Sequence, residues 1–449
     1  QLPEAFSKRM QQQLGEEYPA FEQSLGTASP TSVRINPAKF NFPLSAVNVL
    51  WCDKAYYLEE RPFFVADPLW HAGAYYVQEA GSMAIEQAFT KIKSLSTGPL
   101  KVLDMCAAPG GKTTHLASLL NEDDVLVGNE VIKSRVSVLQ ENTSKWGYPN
   151  TIITNSDSDD FAKCGELFDI ILVDAPCSGE GLFRKDPNAI SEWSTDNTNI
   201  CTLRQKRILD NMTQCLKPGG FLIYSTCTYN PAENEQQVEQ LTSTHYSGIP
   251  FLMKDRLAVS HQFYPHIDKS EGFFIALLQK KNETETSAMQ GKPVFLKALK
   301  DASAYKNYLK DEYGFFEFKQ QVVALSDNLR QLQEQLSPHV YCYSIGMAVA
   351  DLQDKLNNPS PYLPFYTACN NEAFDSYETD HQQAIHYLGK QAISQHSDKK
   401  GFALIQFNGV NLGLGKRAGN RINNLFPNEW RLRRSIQPSE FFSLESRVI

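Results

Sequence analysis

Two cysteines of this 449-residue chain stand where a thiol could do work. Cys177 lies in Asp174-Ala-Pro-Cys-Ser-Gly-Glu-Gly181, and Cys227 lies in Tyr224-Ser-Thr-Cys-Thr-Tyr-Asn-Pro231. Each follows an apolar run that reads as a strand, which puts both thiols at a carboxyl edge, where doubly wound sheets bind their ligands. As a thiolate, cysteine is a strong covalent nucleophile, provided a base or a lowered pKa removes its proton. After the second thiol, Asn230, Pro231 and Glu233 predict the N-cap, first and third positions of a helix. Cys52, Cys164, Cys201, Cys215, Cys342 and Cys369 have no such context and are expected to be small buried hydrophobes.

A second chemical signal is Lys101 to Leu120, KVLDMCAAPGGKTTHLASLL, which reads as strand, small-residue loop and helix. A loop of Ala, Pro and Gly lets backbone approach a ligand, and a helix N-terminus favours an anionic group. Asp104 and the loop Cys106, Ala107, Ala108, Pro109, Gly110, Gly111 and Lys112 are expected to line a cofactor pocket. A phosphate loop is one reading, since Gly111-Lys112-Thr113 matches the end of a Walker A motif and Ile170 to Asp174 could serve as its acidic strand. That motif needs glycine where Cys106 stands, and Pro109 stiffens the turn. An S-adenosylmethionine site fits better. It asks for an acid after the second strand to accept the ribose hydroxyls, supplied by Glu130, and a polar group after the third to reach adenine, supplied by Asp157.

Thiols beside a methyl donor suit methylation of a poorly nucleophilic carbon such as carbon 5 of cytosine. Addition of a thiolate at carbon 6 makes the ring an enamine able to attack a sulfonium methyl group. Asp174 could hold protonated N3 and offset charge on the ring. The carbon 5 proton must then leave before the enzyme sulfur is expelled, and a second group near Cys177 would assist that step.

The elements that must position these residues follow from hydrophobic patterning. Strands are expected at Val102 to Cys106, Val125 to Val131, Thr151 to Asn155, Asp169 to Asp174, Gly220 to Thr228 and Gly272 to Lys280. Most are continuous apolar runs, as strands buried on both faces require. A long helix is expected from Asn197 to Leu216. Upstream, Val33 to Asn36 reads as a strand stopped by Pro37, and Tyr75 to Glu79 leads into a helical stretch from Gly81 to Lys91. Residues 282–292 are polar and aperiodic, a linker, and 293–395 are mixed α+β. From Gly401 the chain is short-stranded and Gly-rich, a small β module.

Composition is that of an ordinary globular protein, 42% hydrophobic and 21% charged. No apolar run reaches the roughly 18 residues of a membrane span, and the polar N-terminus does not read as a signal peptide. Because the chain begins at Gln1, its initiator is expected upstream. The nine cysteines form no CxxC pair and the nine histidines no HExxH, so no metal site is expected, and a reducing cytoplasm is the natural compartment. The net charge of -8 is unlike a nucleic-acid binder, yet from Gly401 to Ile449 seven Lys/Arg face three acids.

Asp104 to Lys112, Asp174 to Gly179 and Ser225-Thr-Cys-Thr228 together resemble the NOL1/NOP2/Sun RNA methyltransferases. His71-Ala-Gly-Ala-Tyr-Tyr-Val-Gln-Glu79, Gly181-Leu-Phe-Arg-Lys-Asp-Pro187 and Glu271-Gly-Phe-Phe274 extend the resemblance over residues 1 to 281. It implies a Rossmann-like class I methyltransferase core with a mainly parallel doubly wound α/β sheet, using S-adenosylmethionine. It further implies that Cys227 attacks the base and Cys177 promotes product release, and the pair of thiols points to RNA rather than DNA.

Ala384 to Gly389, Gly413 to Gly419 and Asn424 to Pro427 are similar to the PUA-like RNA-binding module of the bacterial small-subunit branch of that family. That branch implies ribosomal RNA in the assembled small subunit as partner, with cytosine 1407 of 16S RNA as target. The expected organisation is an N-terminal α+β segment (1–92), the methyltransferase core (93–281), a linker (282–292), an intermediate α+β region (293–375) and the PUA-like module (376–449). Arg184 and Lys185 beside the Cys177 loop, and Lys416, Arg417 and Arg421 in the module, are expected to meet RNA phosphates. A monomer without membrane contact is expected. Methylation of transfer RNA, or an RNA-binding assembly protein without turnover, stay open as readings.

Overall fold

The computed structural model describes residues 2–40, 44, 46–282, 290–354, 358–395 and 399–444. Most of the expected 282–292 linker lies outside those residues.

The central sheet is built from β1 (Lys101–Asp104), β2 (Val125–Asn129), β3 (Thr151–Thr154), β4 (Phe168–Asp174), β5 (Leu216–Thr226) and β6 (Phe273–Lys280). The order β6-β5-β4-β1-β2-β3 is parallel except for β6, which runs antiparallel to β5. The strand order reverses between β1 and β4, and there a doubly wound sheet opens a crevice at its carboxyl edge. The strands are shorter at that edge than their apolar runs, because Glu130, Cys106 and Cys227 have left the ladder to face the crevice. The central strands are apolar on both faces because helices cover both sides. These include α1 (Gly111–Leu119), α2 (Lys133–Trp146) and α3 (Thr195–Cys215); Ser194 caps α3 by accepting the Asn197 amide.

Two features depart from the sequence reading. The intermediate region adds a strand, Cys342–Ile345, antiparallel to the outer edge of β3. Helix Asp327–Leu336 turns Leu329, Leu332 and Leu336 into the same core as β1 to β5. Covering an open sheet edge in this way removes its unpaired backbone groups from competition with other chains. The second departure follows Cys227. The helix expected from Pro231 starts at Glu235, and residues 231–234 form a turn in which Asn230 accepts the Ala232 amide. Glu233 is thereby released from a capping role.

The N-terminal sheet (Thr31–Ile35, Val47–Asn48, Ala55–Leu58, Tyr75–Val77) shares a core with the C-terminal five-stranded sheet: Leu69 and Tyr75 pack with Tyr387, Leu412 and Trp430. Helix Glu4–Leu14 docks on the other side of the core, where Phe6 and Met10 meet Phe183 and Tyr229. Among the described residues, no helix is long and apolar enough to cross a membrane.

One buried ion pair ties the turn after the Cys177 loop to the start of β6: Arg184 Nε donates to both oxygens of Glu271 at 3.1 and 2.9 Å, with the two side chains 4% and 2% exposed. Removing one member strands a buried charge, at a cost of about 3–5 kcal/mol. Glu271→Ala is therefore expected to lower the urea midpoint sharply, and Arg184→Met combined with Glu271→Leu to recover most of the loss. A neutral Glu271→Ala would contradict the pairing.

Candidate active site

The two thiol loops leave β4 and β5 side by side, and Cys177 Sγ lies 3.2 Å from Cys227 Sγ. Their backbones touch as well. The Gly181 amide donates to the Cys227 carbonyl at 2.9 Å. A Cβ at Gly181 would lie 2.3 Å from the Gly272 carbonyl oxygen and 2.8 Å from that of Cys227, so only glycine fits. Behind the loops sits Glu180, fully buried, which receives Arg9 of the N-terminal helix at 2.8 and 2.6 Å and Trp193 Nε1 at 2.9 Å. The N-terminal segment therefore braces the thiol loops directly.

The Cys177 thiol is pushed well above its ordinary pKa, first by its hydrogen bond with Cys227 and then by burial, with the charges of Cys227 and Glu233 adding. Beside them Asp174 is fixed on both oxygens: Ser225 Oγ donates to Oδ1 at 2.8 Å and Lys112 Nζ to Oδ2 at 2.7 Å. Burial alone would lower the Lys112 pKa, but Asp174 outweighs it and the net direction is up.

The thiols open onto a cavity of about 560 Å³ that runs from Cys177, Cys227 and Asp174 past Cys106 and Ala108 to Glu130 and Asp157. Ala107, Pro109, Gly111 and Lys112 line a neighbouring cavity of about 180 Å³, on the side of Tyr76 and Gln78; Cys106, Ala108 and Asp174 border both. Gly110 faces neither, but its φ of +111° turns the chain into α1. Arg135 Nη2 holds the loop by donating to the Ala108 carbonyl at 2.7 Å.

Glu130 is 4% exposed, accepts the Ile132 amide at 2.8 Å and lies 3.4 Å from Arg135. Asp157 is on the cavity wall as expected, but both its oxygens are taken by Arg207 at 2.8 and 2.9 Å, and Oδ1 also accepts the Asp159 amide. Under the loop, Asp104 is fully buried; Oδ2 accepts from Thr113 at 2.7 Å and Oδ1 has no hydrogen-bond partner. A cavity of this size, walled by the apolar Val131, Ile132 and Ile208 and by a few fixed carboxylates, suits a nucleoside-sized ligand. The residues present thus fit the expected cofactor. Asp104, expected to line the pocket, borders neither cavity, because burial beneath the loop keeps it from the cavity walls.

Several surface expectations are corrected. Arg184 is spent on Glu271 and on the Ser270 carbonyl, so it does not reach a phosphate. Arg417 is 8% exposed and turned toward Gln395 and Asp375, because strand alternation puts it opposite Lys416. Lys185 and Arg421 are exposed and Lys416 half-buried. A cation missed from the sequence is Arg204 on α3: it borders the large cavity, is exposed, and has no ion-pair partner among the described residues. It was hidden in a mixed helical run, where only the turn of the helix reveals which side faces the cavity. Cys52, expected to be a simple packing residue, instead donates to Glu86 Oε2 at 3.0 Å. His115 Nε2 also reaches that oxygen at 2.8 Å and the Asp53 amide reaches Oε1, so neighbours already satisfy the carboxylate.

Comparison with known proteins shows the family. The family model for 16S rRNA methyltransferase RsmB/F matches residues 97–279, that for the N-terminal domain of RsmF matches 2–80, and that for the RsmF PUA domain matches 374–432. The ribosomal RNA small subunit methyltransferase F of Salmonella agona is 31% identical over 436 residues, 89% of each chain. The chain belongs to the ribosomal RNA small subunit methyltransferase F family. A second member of the F family, from Shewanella loihica, is 32% identical over 405 residues, 85% of this chain and 83% of that one. A methyltransferase homologue from Pyrococcus horikoshii is 29% identical with a TM-score of 0.51, covering 62% of this chain and 95% of its own. NSun6 of the same organism, at 19% identity and a TM-score of 0.53 over 62% of this chain and 98% of its own, shares the fold.

Asp104 supplies a pH test of the site. Its pKa is raised to about 7, by burial first, with Thr113 opposing and Asp174 adding to the rise. The folded state therefore binds more protons than the unfolded chain between the ordinary value of 3.8 and about 7. Across that window its contribution to stability is lost as pH rises. In the ligand-free protein, Asp104→Asn is expected to remove this downward slope, read by urea unfolding at a series of pH values. An unchanged slope would show that Asp104 is ionised throughout.

Proposed function

We propose that the protein transfers a methyl group from S-adenosylmethionine to carbon 5 of a cytosine in 16S ribosomal RNA. The observation that carries this reading is the Cys177–Cys227 pair, 3.2 Å apart at the mouth of the cofactor-sized cavity. S-adenosylmethionine would supply the electrophilic methyl group, held by the Cys106 to Lys112 loop, Glu130 and Asp157. Cys227 is the nucleophile, adding as thiolate to carbon 6 so that carbon 5 becomes electron-rich. Asp174, oriented by Lys112 and Ser225, bonds the protonated N3. Cys177 serves release: once Cys227 is bonded to carbon 6, Cys177 gives its proton to solvent and as thiolate takes the carbon 5 proton; the carbon 5–hydrogen electrons reform the 5,6 double bond, and the carbon 6–sulfur bond breaks with Cys227 leaving as thiolate. The assembled small subunit and cytosine 1407 are the target that family membership favours. The enzyme works as a cytoplasmic monomer in this reading, with residues 1–92 and the module at 376–449 as its RNA-holding parts. The exposed Lys185, Arg421 and Arg204 and the half-buried Lys416 would meet phosphates in this reading.

Bisulfite sequencing of ribosomal and transfer RNA from cells with and without the gene tests the activity. Loss of one 16S cytosine mark is expected, and unchanged methylation throughout would sink the proposal. Cys227→Ala should abolish turnover, while Cys177→Ala should accumulate a covalent RNA adduct visible on denaturing gels. An adduct with Cys227→Ala instead would reverse the roles. Arg204→Ala should raise KM for RNA and reduce the salt slope of binding by about 1, with little change in kcat; an unaltered salt slope would remove Arg204 from the RNA path.

A further inference from the structure

Glu233 is fully buried and borders neither cavity. Its Oε1 accepts the Ser178 amide at 2.9 Å and Gln205 Nε2 at 3.1 Å, and its Oε2 accepts the Ser178 hydroxyl at 2.5 Å. Ser178 Oγ lies 2.9 Å from Thr228 Oγ1, and Gln205 Nε2 also donates to the Pro176 carbonyl at 3.0 Å. The residues on both sides of Cys177, and the one after Cys227, thus hang on a single carboxylate. Only neutral donors serve it: among the described residues no lysine or arginine pairs with Glu233. The titratable groups that face it are Cys177 on its own loop, Cys201 on α3, Tyr224 on β5 and Glu180.

We propose that Glu233 is a positioning residue that sets the spacing of the two thiols and places beside Cys177 a buried carboxylate without a counter-cation, which opposes thiolate formation there. Geometry supplies the first part, since a loop tied through its Ser178 amide and hydroxyl cannot withdraw Cys177 from Cys227. Electrostatics supplies the second. A carboxylate bonded to the residue next to a thiol disfavours the thiolate there, and low dielectric sharpens the effect. The charge effect stands without the methyl-transfer reading; only its consequence for product release rests on that reading.

The test uses the full chain with Cys227→Ala, which leaves one thiol of the pair, and follows iodoacetamide alkylation of Cys177 against pH by peptide mass. Adding Glu233→Gln should lower the midpoint by about 1 pH unit, an alkylation about tenfold faster at pH values below it. Ser178→Ala, which breaks the hydroxyl bond and keeps the charge, should leave the midpoint in place. With Cys227 present, Glu233→Gln should reduce kcat more than it changes KM. An unmoved midpoint in Glu233→Gln, or an equal drop in Ser178→Ala, overturns the proposal. Should the Gln variant not fold, Glu233→Asp keeps the charge: its midpoint should hold while kcat falls, and a falling midpoint overturns the proposal equally. An enzyme that methylates no RNA would sink the proposed function and leave the alkylation result intact.

Discussion

Two sulfur atoms 3.2 Å apart on loops from neighbouring strands impose the tightest constraint in the molecule. Parallel strands hold their backbones roughly 4.8 Å apart, but the loops beyond them diverge unless something pulls them together. Here the pull is made of backbone contact at Gly181 and of the Ser178, Thr228 and Glu233 hydrogen bonds. Outer layers reinforce it. Arg9 reaches Glu180 from the N-terminal helix, and Arg184 with Glu271 ties the following turn to the start of β6. Much of what surrounds the core is therefore bracing for a small area of loop.

That dependence explains where charge is spent. Arg184 follows the Cys177 loop and has the composition of a phosphate contact, yet burying Glu271 without a partner would cost more than an exposed phosphate contact returns. The same competition turns Arg417 inward toward Asp375 and Gln395. Arg204, left outside, borders the cavity, and Lys185 stays exposed. The net charge of -8 is thus compatible with an RNA enzyme, because local placement and not the sum governs phosphate contact.

The intermediate region is the clearest case of structure that pattern alone does not reveal. Its strand Cys342–Ile345 is short and half polar, and nothing in four residues says that it will extend a sheet whose other strands lie far upstream. Helix Asp327–Leu336 is easily recognised as amphipathic, but what its apolar stripe covers is a matter of chain path. Likewise the spacing of Asn230, Pro231 and Glu233 imitates a helix start, and only the partners Ser178 and Gln205 draw Glu233 into the site instead.

By itself the sequence determined the parallel sheet, the glycine-rich loop before α1, and the presence of Cys177, Cys227, Asp174 and Glu130 at the carboxyl edge. Those features rest on local causes: continuous apolar runs, turn residues, and the rule that strand ends face the ligand. Tertiary structure alone decided the separation of the thiols, the carboxylate that anchors their loops, the pairing of Asp157 with Arg207, and which arginines remain free. Each of these depends on a partner tens to hundreds of residues away, and both desolvation and Coulomb energy depend on where the groups lie in space rather than on their order along the chain.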